Sequence, residues 1–240
     1  RPPSDGGDVP PLPGPALVLA LAVLYASTGL FDRELTAPDE IRVAEVGREM
    51  AVSGDLLVPR LNGEPFLEHP PTYYAAVAWS LQAFGVWDGA ARLPVGLAPV
   101  ALLLLAFDLG RRLGGPRAGL LAALVLATTG GVLRYSHLAL VDTALACAVG
   151  LSYWAWALIL LREGPARERA RPALVLALYV GAALAFLVKG PVGPLLVAAP
   201  IAVDVVAHRR GALLRSWAHA AGVVLLVAAC AAWPVAPRRV

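Results

Sequence analysis

Asp39, Glu40, Glu68, His69, Asp142 and Lys189 are the side chains that could do chemistry in a chain otherwise dominated by apolar residues. The hydrophobic fraction is 58%. Ionisable groups beside long apolar runs mark a reaction site, a metal or an ion path, because a charge near a bilayer needs a partner or a ligand. The first four come in compact motifs, Pro38-Asp39-Glu40 and Glu68-His69-Pro70-Pro71, with Arg60-Leu61-Asn62-Gly63 between them. Lys189 stands in Leu187-Val188-Lys189-Gly190-Pro191 and is the single lysine among 20 Lys and Arg residues. Where arginine serves everywhere else, a lone lysine points to a position that wants a compact ammonium, such as one facing a phosphate.

Each of these residues also has a plainer reading. Asp39 fits a capping box with Thr36 as N-cap and Pro38 in the first turn. That reading is compatible with a general base or ligand, since a capping carboxylate is a rigid one. Glu68 and His69 can both bind a divalent cation, but two adjacent ligands are a weak metal signal, and the alternative is a pair of solvated loop charges. Asp142, between two apolar runs, reads as a solvated turn residue or as a supporting carboxylate. Lys189 can snorkel to a membrane interface or hold a phosphate. Asp108 precedes Arg111 and Arg112 at helical spacing, and Asp204 precedes His208 likewise; both read as structural. The phosphate-binding loop, nucleophile elbow and zincin motifs are absent from the sequence.

The elements that must position these residues are apolar helices. Residues 15–31, 91–110, 118–141, 143–161, 172–188, 190–207 and 218–235 form runs of about 17–24 residues with few charges, the length a bilayer core demands. The fold class expected is an all-α polytopic membrane protein with about seven transmembrane helices. Short basic loops stay cytoplasmic. Arg111, Arg112 and Arg117, then Arg162, Arg167, Arg169 and Arg171, then Arg209, Arg210 and Arg215 fall on one side under that rule. The loop 32–90, Asp142 and Lys189 then share the opposite, extracytoplasmic side. The scheme requires residues 70–84, rich in Tyr and Trp, to be an interfacial helix begun by prolines and not a span. A second surface helix is expected over 39–51, with Arg42, Glu45, Arg48 and Glu49 on its polar face. Residues 1–14 are expected to be disordered, and residues 15–240 to form one incomplete transmembrane domain. Cys147 and Cys230 lie mid-span and read as small apolar fillers. No basic stripe with interleaved aromatics suggests nucleic acid. The lack of an initiator methionine, and an end directly after a span, lead us to expect a piece of a longer protein.

The ordered motifs resemble the N-terminal half of a polyprenyl-phosphate-sugar-dependent glycosyltransferase. The family is the one that holds lipid A aminoarabinose transferases and protein O-mannosyltransferases and has the GT-C fold. The resemblance runs through Pro38-Asp39-Glu40, Ala44-Glu45, Arg48-Glu49-Met50, Ser53-Gly54-Asp55, Pro59-Arg60-Leu61-Asn62-Gly63 and Glu68-His69-Pro70-Pro71. It continues in Ala91-Arg92-Leu93-Pro94, Gly110-Arg111-Arg112-Leu113, the Asp142 turn and Lys189-Gly190-Pro191-Val192-Gly193. It implies a GT-C-like bundle with two amphipathic helices in the first extracytoplasmic loop, seated in a bacterial inner membrane. It implies inverting transfer of a sugar from a polyprenyl-phosphate donor to lipid A, another glycan or protein Ser/Thr. The implied partners are that donor, a lipid or protein acceptor and membrane lipids. Asp39, with Glu40 and Asp142, is implied at the catalytic centre, Lys189, His69 and Arg60 at the donor phosphate, and Glu68 with His69 at a divalent metal. Lysine is more usual at the position of His69 in aminoarabinose-type members. Family members are longer and carry a second extracytoplasmic loop, so this chain alone is expected to hold an incomplete site. The competing expectations are a transporter or flippase component, which would set its charges near the bilayer midplane, and an inactive truncated scaffold.

Overall fold

Apolar helices linked by Pro- and Gly-rich turns build nearly all of the chain. The computed structural model describes residues 15–31, 33–36, 38–161 and 164–235; the expectation for residues 1–14 lies outside them. Helix α1 is Pro15–Ser27 and α2 is Pro38–Ser53. The short antiparallel strands β1 (Arg60–Leu61) and β2 (Glu64–Pro65) precede α3 (Thr72–Phe84). Then follow α4 (Asp88–Thr128), α5 (Gly130–Tyr135), α6 (Val141–Leu161), α7 (Gly164–Lys189), α8 (Val192–Ala207) and α9 (Trp217–Val235). The helices expected over 39–51 and 70–84 are α2 and α3. Both begin beside prolines, whose fixed φ suits the first turn of a helix.

Helix α4 is two limbs. Gly114 and Gly115 leave helical geometry, Gly115 at φ +82°, a value that suits only glycine without strain. The limbs fold back so closely that a Cβ on Gly110 would lie 2.8 Å from the Ala118 carbonyl oxygen. Pro116 restarts the helix where its missing N–H costs nothing. This reversal carries Arg111, Arg112 and Arg117. The span expected over 118–141 is not continuous: its helix stops at Thr128, resumes as the six-residue α5, and gives way to a turn before α6. The Thr129-Gly130-Gly131 stretch explains the interruption. Thr128 and Thr129 bond back to Leu124 and Val125 carbonyls, and paired glycines are poor helix formers.

Among the described residues, three helical stretches are long and apolar enough to cross a membrane: Asp88–Thr128, Val141–Leu161 and Arg171–Lys189. Ala16–Ser27, Val192–Ala207 and Trp217–Ala232 are apolar but shorter. Helix α7 packs on both α6 and α9. The α6–α7 contact is tight because Gly181 sits on Ser152 and Ala148, where a Cβ would come within 2.4 Å of the Ser152 hydroxyl; small residues let membrane helices approach in this way. A separate core joins α2 to α3 and the start of α4, with Val46, Met50, Tyr74, Val77 and Val95 fully buried. Gly47 permits that contact, since a Cβ there would stand 2.5 Å from Val77 Cγ1.

Helix α6 is clamped at its C-terminal end. Trp154 Nε1 donates to Asp108 (2.9 Å) and Trp156 Nε1 to Asp204 (3.1 Å). Asp108 also holds Arg111 and Arg112, and Asp204 holds Arg210 and His208. The structural reading of the two aspartates matches these contacts, and the tryptophans are additional partners.

Candidate functional site

The N-terminus of α2, the segment before α3, the N-terminus of α6 and the C-terminus of α7 meet at one end of the molecule. They enclose a polar cavity of about 270 Å³ lined by Asp39, Arg42, Glu68, His69, Asp142 and Lys189, with Tyr74 and Tyr135 in its wall. Five of the sequence-derived candidates therefore converge from segments far apart in the chain.

Local structure explains each placement. Asp39 sits in the first turn of α2, where a carboxylate is favoured by the exposed N–H groups. Its side chain pairs with Arg42, one turn along the helix. Arg42 also reaches Glu68 (3.6 Å) and lies over the Phe66 ring at 6.0 Å. One guanidinium thus bridges the two acids, a role beyond the polar helix face on which Arg42 is expected. Asp39 and Glu68 remain open, with side-chain exposures of 64% and 51%.

Asp142 lies in the first turn of α6 and Lys189 in the last turn of α7. Each helix end favours the charge it carries. The two side chains join at 2.6 Å. Gly190 at φ +68° ends α7, its N–H returning to the Phe186 carbonyl, so Lys189 projects from the helix end into the cavity. With exposures of 28% and 39%, both groups remain accessible to a ligand.

Glu40 is placed elsewhere. It is fully buried and faces away from the cavity lining, bonded to Arg92 Nε (2.7 Å) and Nη2 (3.2 Å) and to the Ala139 N–H (2.9 Å). With both oxygens engaged, it stands outside the cavity lining, which corrects its expected place beside Asp39 and Asp142. Arg60 is also outside the lining. It sits in the β1–β2 hairpin and donates to the Gly63 carbonyl (3.3 Å), so the donor-phosphate role expected for it has no support in the geometry. The Asn62-Gly63 turn has positive φ at both residues, the hairpin geometry such a pair favours. Its two N–H groups are held by Glu49 at 2.6 and 3.1 Å. Glu49, expected on a solvated face, is therefore an anchor.

Two tyrosines of α3 complete the surroundings. Burial, with Glu68 nearby, pushes the Tyr74 hydroxyl above the ordinary tyrosine range. Burial, with Glu40 and Asp142 nearby, does the same to Tyr73. Both stay neutral hydroxyls at physiological pH. Glu45 is held below the usual carboxylate range by its hydrogen bonds to Arg48.

The donor set does not make a metal site by itself. Among the described residues no group of three or more His, Cys, Asp or Glu side chains converges in a way that could hold a metal ion. Glu68 already faces Arg42. The expected divalent ion at Glu68 and His69 therefore does not fit these residues alone.

A second, larger cavity of about 510 Å³ lies between α4, α6 and α7. Its walls are apolar. It begins at Ala144 and Val188, next to Asp142 and Lys189, and runs down to Asp108 and Trp154.

Residues 68–234 match the family model described as dolichyl-phosphate-mannose-protein mannosyltransferase. An undecaprenyl phosphate-alpha-4-amino-4-deoxy-L-arabinose arabinosyl transferase of Edwardsiella ictaluri is 34% identical over 71% of this chain and 30% of its own length. A relative of the same description from Pseudomonas paraeruginosa is 32% identical over 92% of this chain and 39% of its own. The crystal structure of ArnT from Cupriavidus metallidurans bound to undecaprenyl phosphate superposes with a TM-score of 0.83 at 28% identity, covering 92% of this chain and 40% of that one. The chain thus spans well under half the length of the relatives it matches.

Proposed function

The chain belongs to the dolichyl-phosphate-mannose-protein mannosyltransferase family, and from that premise we propose that it carries part of the active site of a membrane glycosyltransferase. It is an all-α polytopic membrane chain of the GT-C type. The proposed reaction moves a sugar from a polyprenyl-phosphate donor to an acceptor oxygen on lipid A, another glycan or a protein hydroxyl. The observation that carries the reading is the convergence of Asp39, Arg42, Glu68, His69, Asp142 and Lys189 on one cavity that opens beside an apolar one. A polyprenyl phosphate is an amphiphile with the same division. Its phosphate and sugar match the polar cavity, and its chain matches the apolar walls between α4, α6 and α7.

The chemistry needs little beyond these groups. The acceptor oxygen attacks the anomeric carbon as the bond from that carbon to the phosphate oxygen breaks. The bonding pair leaves with the polyprenyl phosphate, and direct displacement inverts the carbon. The acceptor proton passes to Asp39, whose orientation Arg42 holds. Lys189 stabilises the charge gathering on the departing phosphate, and His69, lining the same cavity, adds a donor. Asp142 holds Lys189 in place through the 2.6 Å pair. Phosphate is a good leaving group, so no strong general acid is required. No step is routed through a metal. The charge pattern supports an extracytoplasmic site in a bacterial inner membrane. The arginines of the α4 reversal and of the segment before α9 lie at the opposite end of the bundle, and such loops stay cytoplasmic.

A carrier would set its charges on broken helices near the midplane. Here they sit at helix ends on one side, which favours a reaction at the membrane surface. The test is polyprenyl-phosphate release from mannose- and aminoarabinose-type donors by membranes holding the full-length protein, native against Asp39→Asn. Release that falls about 100-fold or more in the variant supports the reading. Equal release removes Asp39 from the mechanism, and no release from the native protein sinks the transferase reading.

A further inference from the structure

Arg92 and Glu40 are the only charged side chains among the described residues that are fully buried, and the reaction as drawn uses neither. Their contacts extend well beyond the pair. Arg92, near the start of α4, donates to the Arg33 carbonyl, to the Glu34 carbonyl (2.8 Å) and to both oxygens of Glu40. Glu40 in turn accepts the Ala139 N–H (2.9 Å) from the turn that leads into α6. One ion pair therefore ties together the segment entering α2, the N-terminus of α2, the start of α4 and the turn before α6. Asp39 is the residue before Glu40. Asp142 is three residues after Ala139. Both carboxylates line the polar cavity.

We propose that the Glu40–Arg92 pair is a positioning device for the transfer reaction, setting the separation of Asp39 from Asp142 and, through Asp142, of Lys189. The proposal rests on the transferase reading for its catalytic consequence, but not for its geometry. The pair suits this task for physical reasons. A guanidinium is a planar fork that serves several acceptors at fixed angles, which an ammonium on a flexible stem does not. A buried pair contributes little net stability compared with an apolar replacement, so its structural value lies in fixing one arrangement. Val43 of α2 and Val141 of α6 share the apolar core with Leu140, and the ion pair adds a polar tie between the same two elements.

The experiment compares Glu40→Gln and Arg92→Lys in the full-length protein, each alone and combined with Asp142→Asn. Gln keeps the shape and removes the charge. Lys keeps the charge and removes the fork, and it serves as a second probe if Glu40→Gln folds poorly. Two readouts are taken. The first is the pulsed-EPR distance between spin labels at the exposed Ile41 on α2 and Leu133 on α5, in a Cys147→Ala, Cys230→Ala background. The second is kcat and KM for donor turnover.

The expected result is a shifted or broadened distance in both variants, with kcat lowered about 10- to 100-fold, the range a misplacement near 1 Å can produce, and KM nearly unchanged. In the Asp142→Asn background the same substitutions should cost less than about threefold, because residues acting through one unit are non-additive. An unchanged distance overturns the proposal. An equal fold-loss in both backgrounds overturns it too, since a general loss of folded protein would multiply independently. If the native protein turns over no donor, the transferase reading fails, while the distance measurement still decides whether the pair sets the spacing.

Discussion

Replacing Lys189 by Met separates catalysis from stability, and the two magnitudes can be worked out in advance. Met preserves the length and apolar stem of lysine, so the shape of the side chain is kept. What is lost is the pair with Asp142 at 2.6 Å and a favourable charge at the C-terminus of α7. Both partners are partly solvated, at 28% and 39% exposure, so the pair contributes about 1 kcal/mol at most after screening. The helix-end charge adds about 0.3–1 kcal/mol. The folded protein should therefore lose less than about 2 kcal/mol in total. A donor aimed at charge that develops on a leaving phosphate is worth about 2.7–4 kcal/mol in the transition state, or about 100- to 1,000-fold in kcat. The assay is polyprenyl-phosphate release under saturating donor by the full-length protein, run beside thermal unfolding in the same detergent. A kcat loss of about 100-fold or more with a modest change in Tm supports the assignment. A loss below about tenfold would refute it, and so would a fall in activity that follows the loss of folded protein.

Two further predictions concern α2 and α3. Gly47→Ala would push a methyl group into Val77 Cγ1, 2.5 Å away, and should destabilise the α2–α3 unit by about 1–3 kcal/mol. Thermal unfolding reads this, and Val77→Ala in the same chain should recover part of the loss. Tyr73 and Tyr74 have pKa values raised by burial, so the folded state holds those protons more firmly than the unfolded one. Their contribution is intact below the unfolded value of about 10 and is lost as pH rises through the folded values. Absorbance titration of the folded protein should show these two tyrosines ionising after the exposed ones. Ionisation of all tyrosines together near pH 10, without unfolding, would contradict the burial argument.

Much of the architecture was legible because its signals are local. Paired prolines before residues 72–84 and Pro38 at the first position of α2 mark helix starts through fixed φ. Gly190 after Lys189 marks a helix end. The charge asymmetry between loops groups Asp39, Glu40, Glu68, His69, Asp142 and Lys189 on one side, and the cavity joins all of these except the buried Glu40. Apolar length alone predicts one continuous span over 118–141, because it does not register the Thr-Gly-Gly break at Thr129 that separates α4 from α5. Arg42 and Glu49 were assigned to a solvated face, since a helical wheel does not show the hairpin and the α3 segment that pack over it.

Local signals in the sequence suffice to place most of the apolar helices and to bring Asp39, Glu40, Glu68, His69, Asp142 and Lys189 to one side. Those properties follow from propensity, punctuation and charge, all of which act over a few residues. Packing settles which neighbour of the Asp39-Glu40 pair meets the cavity. Adjacent helical residues point about 100° apart, and which one turns inward depends on Arg92, 52 positions away. A buried carboxylate is tolerable only where a distant cation and N–H meet it. That meeting is a property of the packed fold, and neither residue carries a local mark of it.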